Sequence, residues 1–126
     1  MYDLLVHGGT VVTPTFSRDL DVAVSGEEIV AVEPCGELAH NACKVIDATG
    51  KVVIPGGVDP HTHYGIEFEE ILSAEPQEYT WAAAWGGTTT ICDFALQESD
   101  QSLHEAIQDK KDEAYGRVAV DYGLHA

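Results

Sequence analysis

Val52-Val53-Ile54-Pro55-Gly56-Gly57-Val58-Asp59-Pro60-His61-Thr62-His63 decides how this chain reads. An apolar run breaks at a proline and two glycines, resumes, and ends in two histidines separated by one residue. Successive side chains of an extended strand point to opposite faces, so His61 and His63 point the same way. A neutral imidazole offers a nitrogen lone pair near pH 7, and two on one side suit a shared metal ion. A catalytic zinc usually takes three protein ligands and keeps one position open for water, and the pKa of that water falls to about 7. His-x-His alone is a weak signal, since such pairs also sit on solvated strand faces. Here the pair follows an apolar strand that enters a βα pattern, where active sites gather at C-terminal strand ends. Asp59, two residues earlier, shares the face and is expected to serve as a turn former or scaffold.

Working outward, the residues before Pro55 are short strand-like runs. Leu4-Leu5-Val6 precedes Gly8-Gly9, and Thr10-Val11-Val12-Thr13 precedes Pro14. Leu20–Val24 and Ile29–Val32 flank Ser25-Gly26-Glu27-Glu28, which predicts a hairpin. Lys44–Asp47 and Lys51–Ile54 flank a turn at Gly50. Such spacing predicts a β-sandwich layer. After Pro55 strands alternate with helices. Glu75–Trp85 reads as a helix with Trp81 and Trp85 one turn apart and Gly86-Gly87 as its stop. Thr88–Phe94 is β-rich. Ser102-Leu103-His104-Glu105 fits a capping box, and Leu103, Ala106, Ile107, Lys110 and Ala114 follow at helical spacing up to a stop at Gly116. Val118–Tyr122 closes with another strand. Strands separated by helices predict right-handed βαβ units in a parallel sheet. The domain boundary is expected between residues 54 and 55.

The chain has 126 residues and a net charge of -16, with 22 acids against 6 lysines plus arginines. That balance argues against nucleic acid or an anionic membrane as partner; it fits a self-repelling surface, or one adapted to high salt. No apolar run approaches membrane-span length. The N-terminus lacks a basic n-region before Gly8-Gly9, so a cytoplasmic location is expected. Cys35, Cys43 and Cys92 form no C-x-x-C pair and are expected as reduced thiols, Cys92 as a small core residue. The other histidines receive structural readings: His7 before Gly8-Gly9, His40 in a polar loop, His104 near a helix cap. His125 lies at a strand end, where a site-facing role is open. Asp93, also near a strand end, is expected to hydrogen-bond structurally.

Five ordered pieces carry a family resemblance: Leu4–Val12, Val45–Lys51, Pro55–His63, Gly86–Phe94 and Asp121–His125. Together they resemble the cyclic-amide hydrolases of the amidohydrolase superfamily, in particular the dihydropyrimidinase and D-hydantoinase group. The resemblance implies an α/β architecture, a (β/α)8 barrel with a composite β-sandwich. Residues 1–54 are then N-terminal sandwich strands and residues 55–126 the first βα units of the barrel. It implies that His61 and His63 bind the more buried metal of a binuclear site, usually zinc, two ions per complete site, with other divalent metals compatible. It implies hydrolysis of a small cyclic amide or imide, a dihydropyrimidine or hydantoin, to an N-carbamoyl amino acid, and a homo-oligomer, a tetramer in that family. A carboxylated lysine, two further histidines and an aspartate complete the family site and lie after the matched region. A barrel alone needs about 250 residues, so the isolated 126-residue chain is expected to be inactive and poorly folded, with unpaired sheet edges.

After the histidines the sequence departs from the family's apolar loop. Tyr64-Gly65-Ile66-Glu67-Phe68-Glu69-Glu70 is more acidic, and Tyr64, Ile66 and Phe68 alternate as a candidate pocket wall or as loop packing. Dihydroorotases place an arginine just after the His-x-His, and Tyr64-Gly65-Ile66 offers none. An allantoinase-like cyclic amidase, a non-catalytic assembly protein related to the collapsin-response proteins, and a small standalone metal-binding domain are the other readings. Retention of both histidines argues against the non-catalytic one.

Overall fold

A computed structural model describes residues 1–38, 42–68 and 71–126, with the side chains of residues 67, 68, 71 and 72 outside that description. The chain forms two compact units, Met1–Pro55 and Gly56–Ala126.

The first unit is a five-stranded sheet of β1 (Tyr2–Val12), β2 (Ser17–Ser25), β3 (Glu28–Pro34), β4 (Ala42–Asp47) and β5 (Val52–Val53). The order is β3-β2-β1-β4, with β5 also on β1. The predicted hairpin is present, as Ser25 pairs with Glu28. The two runs expected before Pro14 are instead one strand. Its pairing with β2 slips between Val6 and Gly9, and Gly8 sits there at φ +71°, a conformation that costs glycine little. Gly8-Gly9 therefore bends the strand rather than ending it. β4 and β5 both run parallel to β1, one after the other along it, and the turn between them steps past the bulge.

Asp21 knots this unit. It is fully buried and accepts hydrogen bonds from Gly8 N at 2.9 Å, Gly36 N at 2.8 Å and His7 Nδ1 at 2.8 Å. Burial pushes its pKa up, but those three donors outweigh it and hold the carboxyl below the usual range. Leu5, Val11, Val22, Ala23 and Ala48 form the apolar core around it.

The second unit holds β6 (Gly57–Thr62), α1 (Pro76–Trp85), β9 (Thr88–Phe94), α2 (Leu103–Ala114) and β10 (Asp121–His125), plus a two-stranded ribbon of β7 (Glu67–Phe68) and β8 (Ile71–Leu72). β6, β9 and β10 pair in parallel and in chain order. Each strand lies beyond its predecessor without the reversal of a doubly wound sheet, as in the opening strands of a (β/α)8 barrel. The fold expectation, sandwich strands followed by the first βα units, is met. Gly56 is needed at the entry to β6, because a Cβ there would fall 2.7 Å from Thr89 Cβ.

α1 begins at Pro76, whose missing N–H costs nothing in a first turn. α2 begins with the predicted capping box: Ser102 Oγ accepts from Glu105 N at 3.3 Å, and Ser102 N donates to Glu105 Oε2 at 2.8 Å. The last strand lies three residues later than the apolar run 118–122 predicts. Arg117 N and Val118 N donate back to Ala114 O, and Ala119 N donates to Thr80 Oγ1 at 3.0 Å. Those bonds hold 117–119 against helices, and pairing with β9 starts only at Asp121.

Candidate functional site

Strand alternation sets the site. Along the end of β6, Thr62 and Tyr64 are buried while His61 and His63 are exposed. Thr62 Oγ1 donates to Cys92 O at 3.2 Å, pinning β6 to β9. Asp59 Oδ1 accepts from His61 N at 3.1 Å, so this acid serves as backbone scaffold. Between these anchors His61 and His63 turn together, with their Nε2 atoms 3.2 Å apart and their rings edge to face at 87°.

On β9 the same alternation splits Asp93 from Phe94. The Phe94 ring lies 4.7 Å from His61, 5.0 Å from His63 and 4.8 Å from His125 between centroids, an apolar floor under three imidazoles. His125 pairs with Phe94 in the sheet and donates through Nε2 to Pro60 O at 2.9 Å. The structure thus brings His125 beside the pair but commits that nitrogen to a carbonyl. His7 belongs to the Asp21 knot, His104 is exposed in the first turn of α2, and His40 lies outside the described residues.

Among the three candidate wall residues, Tyr64 is fully buried. Ile66 lines a cavity of about 390 Å³ together with Phe94, Ala95, Lys110 and Glu113. The side chain of Phe68 lies outside the described residues.

Behind the histidine face is a charged cluster. Lys110 Nζ donates to Tyr64 O at 2.7 Å, and carboxylate oxygens of Asp93 and Glu113 stand 3.0 and 2.8 Å away. The same ammonium lies 4.0 Å from the Tyr64 ring centroid, a cation–π contact. Asp93 is fully buried and neither of its oxygens has a directed hydrogen bond among the described residues; its contact with Lys110 is an ion pair. Burial, then the charges of Asp93 and Glu113, pushes the Tyr64 phenol well above its ordinary pKa, so it stays a neutral hydroxyl. The signal for this cluster was a lysine at an apolar position of the helical stripe in α2.

A family model described as the amidohydrolase family matches residues 44–111, more than half of the chain. The chain belongs to the amidohydrolase family. This family is metal-dependent. A D-hydantoinase of Streptomyces coelicolor is 43% identical over 125 residues, covering 96% of this chain and 27% of that protein. A dihydropyrimidinase of Rattus norvegicus is 39% identical, covering 97% and 24%. A crystal structure of D-hydantoinase from Bacillus sp. AR9 superposes with a TM-score of 0.89 at 42% identity, covering 98% of this chain and 26% of that one. The chain spans about a quarter of the length of the curated relatives it matches.

Two nitrogens of this amidohydrolase chain meet the geometric demand of a metal. Ligating nitrogens about 2.0–2.1 Å from a zinc ion at a tetrahedral angle lie about 3.3–3.4 Å apart, close to the 3.2 Å between the two Nε2 atoms. No group of three or more His, Cys, Asp or Glu side chains gathers as a metal cluster among the described residues. No helix among the described residues is long and apolar enough to cross a membrane.

Proposed function

We propose that this chain contributes the first half-site of a metal-dependent cyclic amidase that opens dihydropyrimidine or hydantoin rings to N-carbamoyl amino acids. The observation that carries the reading is the convergence of His61 and His63 Nε2 at 3.2 Å, at the C-terminal end of the first strand in a parallel sheet of barrel order. The likeness to D-hydantoinases and dihydropyrimidinases over nearly the whole chain supports the substrate class. Residues 1–54 serve the sandwich and residues 55–126 open the barrel. The metal is zinc, two ions per complete site, a metal that imidazole nitrogens suit, and the remaining ligands come from polypeptide outside these residues. The complete enzyme works as a cytoplasmic homo-oligomer.

His61 and His63 would hold the metal through the Nε2 atoms that converge here. When bound, it would supply Lewis acidity toward a carbonyl oxygen and a nucleophile from water near neutral pH. Asp59 and Thr62 fix the backbone on either side of His61, so the imidazoles need no rearrangement when substrate arrives. Phe94 keeps the floor beneath them apolar and excludes water from that side. In the net reaction one water adds across a ring C–N bond: its hydroxyl goes to the carbonyl carbon, its other proton goes to the leaving nitrogen, and the new acid releases its proton to solvent as it becomes a carboxylate.

The test is His61→Ala and His63→Ala in the full-length protein, with metal content and hydrolysis of dihydrouracil and hydantoin measured side by side. Each substitution is expected to strip metal and to lower kcat/KM by at least about 10³-fold. Unchanged metal content with full activity would overturn the assignment.

A further inference from the structure

Lys110 is an unusual residue to find 8% exposed, because a buried ammonium is costly unless it is paired. Its partners come from three elements. Tyr64 O directly follows His63. Asp93 directly precedes Phe94, the ring beneath both histidines. Glu113 lies one turn along α2 from Lys110 itself. One cation therefore ties the end of β6 to the end of β9 on the side opposite the histidines, and three oxygens stand within 3.0 Å of it.

Among the described residues the backbone just beyond β6 has few other hydrogen bonds. His63 is the first residue after the strand, and sheet pairing between β6 and β9 ends at Thr62 with Asp93. The next backbone bond to the loop is Gly65 N to Ala74 O at 3.0 Å. The bond from Lys110 Nζ to Tyr64 O holds the Tyr64–Gly65 peptide, one residue beyond His63, from the side of α2, while Gly65 N of the same peptide is held by Ala74 O.

We propose that Lys110 is a positioning residue for the metal pair: by clamping Tyr64 O against Asp93 it sets His63 on Phe94 so that both Nε2 atoms converge. This rests on the reading of His61 and His63 as metal ligands. The described partners of the Lys110 ammonium are Tyr64, Asp93 and Glu113, so it acts on the imidazoles through other residues. Its effect travels through the His63–Tyr64 peptide just beyond β6 and the Asp93–Phe94 peptide of β9. Of its two carboxylates, Asp93 takes part in the clamp, whereas Glu113 balances charge from within α2.

The experiment compares wild type, Lys110→Met and Glu113→Gln of the full-length protein. Zinc affinity is measured by chelator competition, and the metal-free crystal structures give the separation of His61 and His63 Nε2. K110M is expected to weaken zinc binding about 10- to 100-fold, the usual effect of losing a group that orients a ligand, and to take the two nitrogens out of hydrogen-bond reach. E113Q is expected to stay within about threefold of wild type. K110M with wild-type zinc affinity and an intact nitrogen pair would overturn the proposal, whatever its effect on melting temperature. If K110M does not fold, K110M combined with Asp93→Asn removes the stranded carboxylate and is held to the same outcomes. Zinc binding that survives His63→Ala would instead defeat the metal reading, and the metal-free nitrogen separation then decides the positioning role alone.

Discussion

Asp21 and Asp93 are both fully buried carboxylates, yet they are stabilised in opposite ways. Asp21 receives two backbone amides and an imidazole, donors that belong to a strand bulge and a turn and are fixed by the sheet. Asp93 has a single lysine and no directed hydrogen bond among the described residues. Fixed amides make a carboxylate a local staple of the fold. A lone ammonium makes it dependent on a distant helix, and in return joins that helix to the strand ends that carry the histidines. The first arrangement is about stability; the second trades some stability for connection between elements.

Breaking the second arrangement is expected to have the larger effect. Removing one partner of a buried pair leaves an uncompensated charge, at about 3–5 kcal/mol. Lys110→Met should therefore lower the unfolding free energy of the full-length protein by about that amount, and adding Asp93→Asn should recover much of it. A double-mutant cycle in denaturant reads the coupling, and additive losses would show that the two groups are independent.

Asp21→Ala should cost somewhat less, roughly 1–3 kcal/mol in all, because the orphaned amides of Gly8 and Gly36 belong to residues that water can reach, with no coupling to Lys110. Its pH behaviour sharpens the contrast. The folded pKa of Asp21 is depressed, so the folded state binds fewer protons than the unfolded chain as acid is added. The contribution is complete above the unfolded value of about 4 and disappears as pH falls through the folded pKa. Asp21→Asn should flatten the acid side of the stability curve, measured by urea titration from about pH 2 to 6. An unchanged slope would mean that Asp21 is not held ionised.

The smallest effect is expected at Ser102, where a cap alone is at stake. Ser102→Ala removes the acceptor for Glu105 N and should destabilise the protein by about 1 kcal/mol. A loss as large as that of Lys110→Met would mean that α2 depends on its first turn more than on its buried cation.

Much of this was legible in sequence because the signals were local. Alternation alone put His61 and His63 on one side, the spacing of Ser102 and Glu105 announced a cap, and the glycine between Val24 and Ile29 announced a hairpin. What was not legible depended on pairing at a distance. Lys110 looked like part of an apolar stripe, and nothing local says that it meets Tyr64, 46 residues away. Val118–Val120 has the composition of a strand, but hydrogen bonds to Ala114 and Thr80 hold it elsewhere. Gly8-Gly9 looked like a strand end because a bulge and a break use the same residue type; the amide of Gly8 bonded to Asp21 settles it as a bulge.

The central claim is that the His61 and His63 Nε2 atoms share one metal ion. A crystal structure of the zinc-loaded full-length protein, with anomalous scattering collected at the zinc edge, tests it most directly. The account predicts an anomalous peak about 2.0–2.1 Å from both nitrogens. A zinc ion bound elsewhere, with the two nitrogens still hydrogen-bonded to each other, would contradict it.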